Sequence, residues 1–344
     1  MAVKGDKGEF LPSGPGAKSV ASPEDLVAIT SRIEHGLKRG AVAVGLGVVY
    51  TPAAQSWELL EVFRLAAKYK TFTHVHVRGA SSAAGAGADR EAGLLEVIAL
   101  SAATGAPVHV AHIQSSGQAS TGRMLGIIAD ARASGLDVTT ECYPYTAGAT
   151  RIESFLFDSW YDRPDADYAK LQWVKTGERL TKESFRKYRE QGGLVLIHAN
   201  REEVIRTAVA HPLTMIASDG FDVSEGEGHP RSAGTFSRVL GRYVREAGLL
   251  SLPEAIRKMT IEPARRLEQR VPSMRNKGRI REGADADITV FDPDRVIDRA
   301  TFEQPAIYSD GVEHVLVEGT FVVRGGLLDP GALPGRAIRA PVTE

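Results

Sequence analysis

From Ser22 onward the sequence alternates between helix-like and strand-like segments, and this alternation limits the possible fold more than any single motif does. The first helical segment, residues 22–40, has Ser22 as its N-cap and Gly40 at its end. The continuous apolar run AVAVGLGVVY that follows is typical of a strand buried on both faces. Strands that alternate with helices predict βα units and a parallel sheet. Six strand candidates end near Val44, His76, His112, Tyr143, His198 and Asp219.

Polar residues stand at the C-terminal ends of several candidate strands, which is the edge where a (β/α)8 barrel builds its site. A doubly wound sheet would give the same alternation, but the sequence lacks the glycine-rich phosphate-binding turn of that fold. After the last helical segment, period-2 alternation and turn signals predict a small β-rich module. We therefore expect a flexible loop over 1–21, a partial α/β barrel over 22–275, and a β-rich module with its tail over 276–344.

Composition excludes several classes of function. The formal net charge is -1 and 25% of residues are charged, so no basic patch predicts binding to nucleic acid or to an anionic membrane. The chain has one cysteine, Cys142, which excludes an internal disulfide and fits a reducing cytoplasm. No run approaches the roughly 20 apolar residues of a membrane span, and the first residues lack the apolar core of a signal peptide.

Three of the polar strand-end residues have the chemistry of a metal site. His76 and His112 end strands that are one βα unit apart, and adjacent parallel strands lie about 4.8 Å apart. Two imidazoles at matching levels can therefore share one metal ion, at bond lengths of about 2.0–2.1 Å for zinc. Asp219 ends a later strand, where a carboxylate can bind metal and take a proton from water. For each of these residues taken singly, the alternative to a metal ligand is a hydrogen-bonded side chain in the protein core.

Other polar residues have weaker signals. His74 shares the pleat face of His76, and we expect it to be structural or to support the ligands. His109 is three residues before His112, so a regular strand would place it on the opposite face, beneath a helix. The Tyr143 hydroxyl can contact a substrate or cap the barrel rim. Arg231 can hold a carboxylate with two hydrogen bonds, or belong to a solvated surface loop.

Several stretches together resemble the D-aminoacylase (N-acyl-D-amino-acid deacylase) branch of the amidohydrolase superfamily. They run in family order from near residue 1 to about residue 325. The most specific are THVHVR, VHVAHIQSSG, ECYPYTAGAT, IASDG, HPRSAGTF and GADADITVFDP. The stretch AHIQSSG is also similar to the N-acyl-D-glutamate deacylase subgroup.

The resemblance implies a zinc-dependent (β/α)8 hydrolase that cleaves the amide bond of N-acyl-D-amino acids, with a small β-sandwich beside the barrel. His76 then corresponds to the zinc ligand of strand 5 and His112 to that of strand 6. Asp219 corresponds to the catalytic aspartate of strand 8. Tyr143 and Arg231 match positions associated with the carboxylate side of the substrate.

The chain also departs from the family pattern. The His-x-His of strand 1 is absent, and so is the Cys or acidic residue that completes the tight zinc site. We therefore expect the chain to begin within the barrel, so that its six candidates correspond to about strands 4–8 plus one accessory or misassigned segment. Gln114 stands where D-aminoacylases commonly place a lysine, and Ala149 replaces a hydroxyl residue, which puts ordinary D-aminoacylase specificity in question.

Two classes of function remain open from the sequence. The first is a Zn²⁺-dependent hydrolase of small N-acyl-D-amino acids, in which Asp219 transfers a proton to the leaving amine; a hydrolase of cyclic amides is a variant of this class. The second is a non-catalytic barrel remnant that binds metal weakly. It would persist as a pseudoenzyme or assemble with a partner, and its exposed sheet edges and apolar surface would favour oligomerisation or aggregation.

Overall fold

A computed structural model describes residues 15–79, 89–223 and 227–343 of the chain. The described residues form two compact units. Unit 1 contains the residues up to Lys38 together with Ala43–Leu213, and unit 2 contains Arg39–Val42 and the residues from Thr214 onward. The boundary expected after residue 275 stays a prediction.

Unit 1 contains the parallel sheet that the alternating segments predict. Its strands β1 to β4 lie side by side in chain order, and each pairs in parallel with the next. They span Val44–Gly47 (β1), Thr73–His76 (β2), Val108–Val110 (β3) and Val138–Cys142 (β4). The helices between and around them span Pro23–Lys38 (α1), Ser56–Lys68 (α2), Arg90–Thr104 (α3), Ile113–Gly117 (α4) and Thr121–Ala133 (α5). The mixed α/β class and the parallel sheet are confirmed.

Local capping explains where the first helix begins. The backbone N–H of Asp25 donates to Ser22 Oγ at 3.1 Å, and the Ser22 N–H donates to the Asp25 carboxylate at 3.0 Å. These reciprocal bonds satisfy backbone donors that have no partner within the helix. Gly40 has a φ of 94°, which a residue with a side chain rarely adopts, and the chain turns there toward β1. The predicted N-cap is confirmed.

One strand candidate has a different partner from its neighbours in sequence. The strand that ends before His198 is β7 (Leu194–Ile197), and it pairs antiparallel with β5 (Gly148–Arg151) and β6 (Leu171–Trp173). It is therefore an accessory strand outside the β1–β4 series. An apolar run shows that a strand is buried but not which strands flank it, so the sequence left this open. The helices of this region are α6 (Asp165–Tyr168), α7 (Lys182–Gln191) and α8 (Glu202–Ala210).

An aromatic core holds this three-stranded sheet. Trp173 on β6 stacks on Tyr188 of α7, with ring centroids 4.2 Å apart. Such pairs add to the free energy gained by burying the rings. The other large buried side chains of this cluster are Phe157, Trp160, Tyr168 and Phe185. The core gives α6 and α7 a fixed position against the sheet.

Unit 2 contains the β-rich tail. Its four-stranded antiparallel sheet has the order β12-β11-β10-β9, which confirms the expected alternation. The strands of the unit span Thr214–Ile216 (β8), Ile288–Phe291 (β9), Val312–Val317 (β10), Thr320–Arg324 (β11) and Leu327–Leu328 (β12). Its helices span Arg231–Arg238 (α9), which continues as a π-helix over Val239–Glu246, then Leu252–Met259 (α10) and Ile261–Glu268 (α11).

The last helical segment of the sequence, residues 251–270, has the apolar spacing of one helix, but the structure has two helices there, α10 and α11. The break is at Thr260, whose φ and ψ of -129° and -81° are not helical. Pro263 follows three residues later. Proline has no N–H to donate to the carbonyl four residues earlier, and its ring clashes with that carbonyl, so a continuous helix cannot pass this point. The apolar spacing alone did not show the break.

The predicted loop over residues 1–21 lies largely outside the described residues. Within it, Pro15–Lys18 form one short 3₁₀ helix. Across the described ranges, no helix combines the length and the hydropathy that crossing a bilayer requires.

A partly buried lysine, Lys277, neutralises an acidic cluster in unit 2. Lys277 Nζ lies 3.0 Å from Asp285, 2.5 Å from Asp287 and 3.4 Å from Glu318. Burial alone would lower the pKa of Lys277, but the hydrogen bonds that its ammonium donates to Asp287 and Asp285 raise the pKa well above its usual value. The ammonium therefore stays charged and joins the segment after α11 to the sheet.

We predict that Lys277→Met destabilises the protein by about 1–3 kcal/mol at pH 7, because it removes the ammonium that contacts all three carboxylates. The pKa of Asp287 is lowered, since contacts with Lys277 and a backbone N–H outweigh its burial. The stability from this carboxylate is therefore present above its unfolded pKa and is lost as the pH falls through its folded pKa. Urea unfolding from pH 7 to pH 3 should show the variant and the wild type converging in acid. Lys175→Met, at an exposed lysine of unit 1, is the control.

Candidate active site

One face of the parallel sheet in unit 1 carries a row of polar residues. Strand register aligns Gly45, His74, His109 and Thr139 across β1 to β4. Alternate residues of a strand share a face, so His76 and Glu141, two positions farther along β2 and β4, project from this face as well. The opposite face carries fully buried residues of the same strands: Thr73, Val75, Val108, Val110 and Thr140.

His76 and His112 lie against each other. Their ring centroids are 4.4 Å apart and the planes are almost perpendicular, at 84°. His76 ends β2, whereas His112 lies just beyond β3 and immediately before α4. The ring of Tyr50 also packs against His76, nearly perpendicular to it, with centroids 5.4 Å apart. The predicted pair of imidazoles on neighbouring strands is thus present.

The backbone of His112 leaves the strand in a left-handed conformation. Its φ is 31°, which is uncommon for a residue other than glycine. The His112 N–H donates to Glu141 Oε1 at 2.9 Å, and this bond to a buried carboxylate compensates the turn. Backbone strain of this kind persists where surrounding contacts fix the conformation.

Hydrogen bonds also fix the proton on the His112 ring. Its Nδ1 lies 3.2 Å from Ser116 Oγ, and the Ser116 hydroxyl donates to the Ala111 carbonyl at 3.0 Å. Since that hydroxyl proton is used, Ser116 accepts from Nδ1–H. The His112 Nε2 then carries the lone pair, which is the tautomer that a metal ligand requires.

Polar groups of α4 and the loop after β4 surround the pair. The Tyr143 ring lies 6.0 Å from the His112 ring and is almost fully buried. Gln114 Nε2 donates to the Tyr143 carbonyl at 3.0 Å, and Asn200 Nδ2 donates to the Tyr143 hydroxyl at 3.2 Å. These bonds fix both ends of the tyrosine beside His112.

Gln114 has one polar atom without a partner. The residue is fully buried, and its side-chain oxygen makes no hydrogen bond in the structure. A buried acceptor left in this state costs about 1–3 kcal/mol. The oxygen lies in the helix that begins beside His112, and it suits an N–H donor from a bound molecule.

His74, His109 and Glu141 form a second polar group on the same face. The His109 Nε2 contacts one oxygen of Glu141, and the His74 Nε2 lies 3.5 Å from the other. His109 Nδ1 lies 2.7 Å from Thr139 Oγ1. The expectation that His109 lies beneath a helix is wrong. His112 lies beyond the end of β3 with a left-handed backbone, so strand alternation does not relate the two histidines.

The pKa of Glu141 is held well below its usual range. Burial would raise it, but the charge and hydrogen bond of His109 and the contact with His74 outweigh burial. The carboxylate is therefore ionised, with His109 and His74 as its side-chain partners.

Asp219 and Arg231 pair with each other in unit 2. The Arg231 guanidinium lies 2.9 Å from Asp219 Oδ2 and is buried, while the aspartate side chain is 40% exposed. Asp219 has a φ of 49°, and Arg231 is the first residue of α9. The guanidinium also lies 5.0 Å from the centre of the Phe221 ring. The loop interpretation of Arg231 is wrong, since this side chain is buried.

The predicted residues therefore form two groups. His76, His112, Tyr143 and Gln114 lie together in unit 1. Asp219 and Arg231 lie together in unit 2.

Glu141, Ser116 and Asn200 were not among the predicted site residues. Glu141 is two positions before Tyr143 on a predicted strand, so period 2 was a signal that it shares a face with the other strand residues. Nothing in the sequence pattern indicated the bonds made by Ser116 and Asn200.

Comparison with known families accounts for this arrangement. A model described as the amidohydrolase family matches residues 83–323, which is more than half of the chain. The chain belongs to the amidohydrolase family. The match includes His112, Tyr143, Asp219 and Arg231, whereas His76 precedes it.

Individual relatives of this amidohydrolase are deacylases. It is 33% identical to N-acyl-D-glutamate deacylase of Alcaligenes xylosoxydans xylosoxydans, over 94% of its own length and 65% of that protein. A crystal structure of N-acyl-D-glutamate deacylase from Bordetella bronchiseptica, complexed with zinc and a phosphonate inhibitor, matches with a TM-score of 0.78. That match has 28% identity and covers 95% of this chain and 69% of the other.

A structure from work on the binuclear metal centre of D-aminoacylase matches with a TM-score of 0.79 and 27% identity, over 95% of this chain and 69% of that one. The amidohydrolase described here thus spans about two thirds of the length of the relatives it matches.

We predict that Glu141→Gln lowers the free energy of unfolding by about 2–3 kcal/mol at pH 7, because bonds to a charged partner are lost. The folded pKa of Glu141 lies below the unfolded one, so this stability is complete above the unfolded pKa and is lost as the pH falls through the folded pKa. Urea unfolding of the metal-free protein between pH 7 and pH 3 should show the difference shrinking in acid. A difference that is constant across this range would contradict the assignment.

Proposed function

We propose that this chain carries part of the active site of a Zn²⁺-dependent hydrolase that cleaves the amide bond of N-acyl-D-amino acids. The observation that carries the proposal is the His76–His112 pair, with rings 4.4 Å apart at the ends of adjacent parallel strands. Membership of the amidohydrolase family and similarity to deacylases support the reaction class.

The corresponding fold is a partial (β/α)8 barrel, about strands 4–8 of the full barrel, followed by part of a small β-sandwich. The parallel series β1 to β4 with its helices supports the first part, and the antiparallel β9–β12 sheet supports the second. In this assignment β2 and β3 are the fifth and sixth barrel strands, whose ends carry His76 and His112.

The donor set fits zinc. Two imidazoles meet on one sheet face, and Ser116 directs the lone pair of His112 to Nε2. Imidazole nitrogen is a common zinc ligand, and hydrogen bonds to the other ring nitrogen strengthen it. When bound, zinc supplies a Lewis acid and lowers the pKa of a coordinated water to about 7.

The chain's own residues have separate roles in this proposal. Asp219 accepts a proton from the attacking water and gives it to the leaving amine. Arg231 pairs with Asp219 and so orients it, and its planar guanidinium suits the carboxylate of an amino acid.

Tyr143 and Gln114 form the substrate-binding side of the histidine pair. Asn200 and Gln114 hold Tyr143 in place. The buried oxygen of Gln114 accepts an N–H, and the amide of an N-acyl-amino acid offers one. A lysine at this position would instead place a cation there, so we expect specificity different from that of enzymes with lysine.

The partner is accordingly a small N-acyl-D-amino acid, with N-acyl-D-glutamate as the first substrate to test. We propose no nucleic-acid or membrane partner. A cytoplasmic location and an oligomer stay predictions.

A non-catalytic metal-binding protein is the second candidate, and one observation favours it. In the described part of the chain, no third His, Cys, Asp or Glu has a ligand atom close enough to join His76 and His112 in a group of three. Two protein ligands hold zinc less tightly than three. Cyclic amides are a further substrate class to assay.

Hydrolysis of N-acetyl-D-glutamate by the purified chain, with and without ZnCl₂, separates these candidates. The proposed enzyme releases D-glutamate in a zinc-dependent way, and His112→Asn lowers kcat/KM by more than about 100-fold. Asparagine suits this variant because it tolerates the left-handed backbone. His35→Gln, at an exposed histidine of α1, is the matched control and should leave turnover unchanged. Zinc binding without turnover would favour the second candidate.

We predict that Ser116→Ala weakens zinc binding by about 10- to 100-fold, since the hydrogen bond that fixes the His112 tautomer is lost. Competition with a chromogenic chelator measures the affinity. Ser134→Ala, at an exposed serine, serves as the control. Wild-type affinity in Ser116→Ala would show that Ser116 does not orient the ligand.

A further inference from the structure

We propose that His74, His109 and Glu141 form a further metal site, distinct from the His76–His112 pair, for a divalent transition ion of the Zn²⁺ or Co²⁺ type. The three residues come from adjacent strands β2, β3 and β4 and project from the same sheet face. We call them the His–His–Glu group.

The spacing of the group is that of a chelating site. One ligand atom from each residue lies within 4.8 Å of the other two. The His74 Nε2 and Glu141 Oε1 are 3.5 Å apart, and the His109 Nε2 contacts the other carboxylate oxygen. Two ligands bound tetrahedrally at about 2.0–2.1 Å lie about 3.3 Å from each other. Side-chain movement alone is therefore enough to accommodate an ion.

An outer hydrogen bond orients one of the ligands. The His109 Nδ1 lies 2.7 Å from Thr139 Oγ1, on the neighbouring strand. With Nδ1 engaged, Nε2 is the nitrogen that faces Glu141. Metal-binding histidines generally have such a partner on the second ring nitrogen, and it fixes the ring plane as well as the tautomer.

Burial and charge favour a cation at this place. Glu141 and His109 are buried, whereas the His74 side chain is 47% exposed. An ion can therefore enter beside His74, where water completes the coordination sphere, as in sites with three protein ligands. A buried carboxylate is costly without a compensating positive charge, and a divalent ion supplies one. Two imidazoles and one carboxylate suit zinc or cobalt better than magnesium or calcium.

The acidic cluster of unit 2 differs from the His–His–Glu group in already having a cation. Asp285, Asp287 and Glu318 have comparable spacing, but Lys277 lies within reach of all three. Its ammonium already neutralises the carboxylates, so this cluster is an ion-pair network. The His–His–Glu group instead joins two imidazoles to one carboxylate, and these donors are those of a metal ligand set.

Titration of the metal-free full chain with CoCl₂, followed by the visible absorption of bound cobalt and by equilibrium dialysis, tests the proposal. The wild type is expected to bind two equivalents, one in each site. His74→Gln should weaken binding of one equivalent by more than about 100-fold and keep the other. His112→Asn should lose the other equivalent and keep this one. His35→Gln is the matched control and should bind as the wild type does.

The outcomes separate this proposal from the proposed function. An equivalent that His112→Asn retains and His74→Gln loses supports the His–His–Glu group, even if no turnover is found. Wild-type stoichiometry and affinity in His74→Gln would overturn it, whatever the fate of the His76–His112 site.

Thr139→Val gives an independent readout of the positioning hydrogen bond. It is expected to weaken cobalt binding at the His–His–Glu group by about 10- to 100-fold and to leave the other equivalent unchanged. Circular dichroism of each metal-free variant checks the fold. Equal affinity in Thr139→Val and the wild type would remove the assigned role of Thr139.

Discussion

The buried carboxylate of Glu141 is the group on which the site in unit 1 depends. One oxygen accepts the backbone N–H of His112 and faces His74, while the other contacts His109. A buried charge is tolerated only with partners of this kind, so the carboxylate fixes the end of β3 against β4. The position of the His112 ring, and hence of the pair with His76, follows from that constraint. Loss of the charge would affect both histidine groups.

The sequence predicted much of the framework, because capping residues and apolar periodicity are local properties. Ser22 marked the start of α1, and the alternation of segments predicted the parallel strands and the β-rich tail. Strand pairing is not local, so the antiparallel partners of β7 were not predictable from its apolar run. The break before α11 was not predicted because the helical spacing of apolar residues continues across it, and that spacing does not include the effect of Pro263. These differences concern which strands pair and where a helix is interrupted. They do not concern whether a segment is a helix or a strand.

For the site, the sequence indicated which residue types could act, and the structure shows which of them meet. His76 and His112 were expected at neighbouring strand ends, and their rings are in contact. The predicted position of His109 was wrong because the alternation of side chains between sheet faces was extended to His112, which lies beyond the end of β3. Glu141 was overlooked because a single acidic residue in a strand has no distinctive pattern. Family membership adds the reaction class, whereas contacts within the chain determine which donors are available to a metal.

The left-handed backbone of His112 has a consequence for how this site can vary. In a regular strand the spacing between two ligands is set by the sheet, which cannot change without disturbing every pair in it. Here the ring position depends on one dihedral angle and on the short helix α4 that follows. Substitutions within α4 can therefore change the distance between the ligand nitrogens of the two imidazoles, while the strands keep their positions. Ions of different radius become accessible through a few local changes, and the tuning of the centre is separated from the stability of its scaffold.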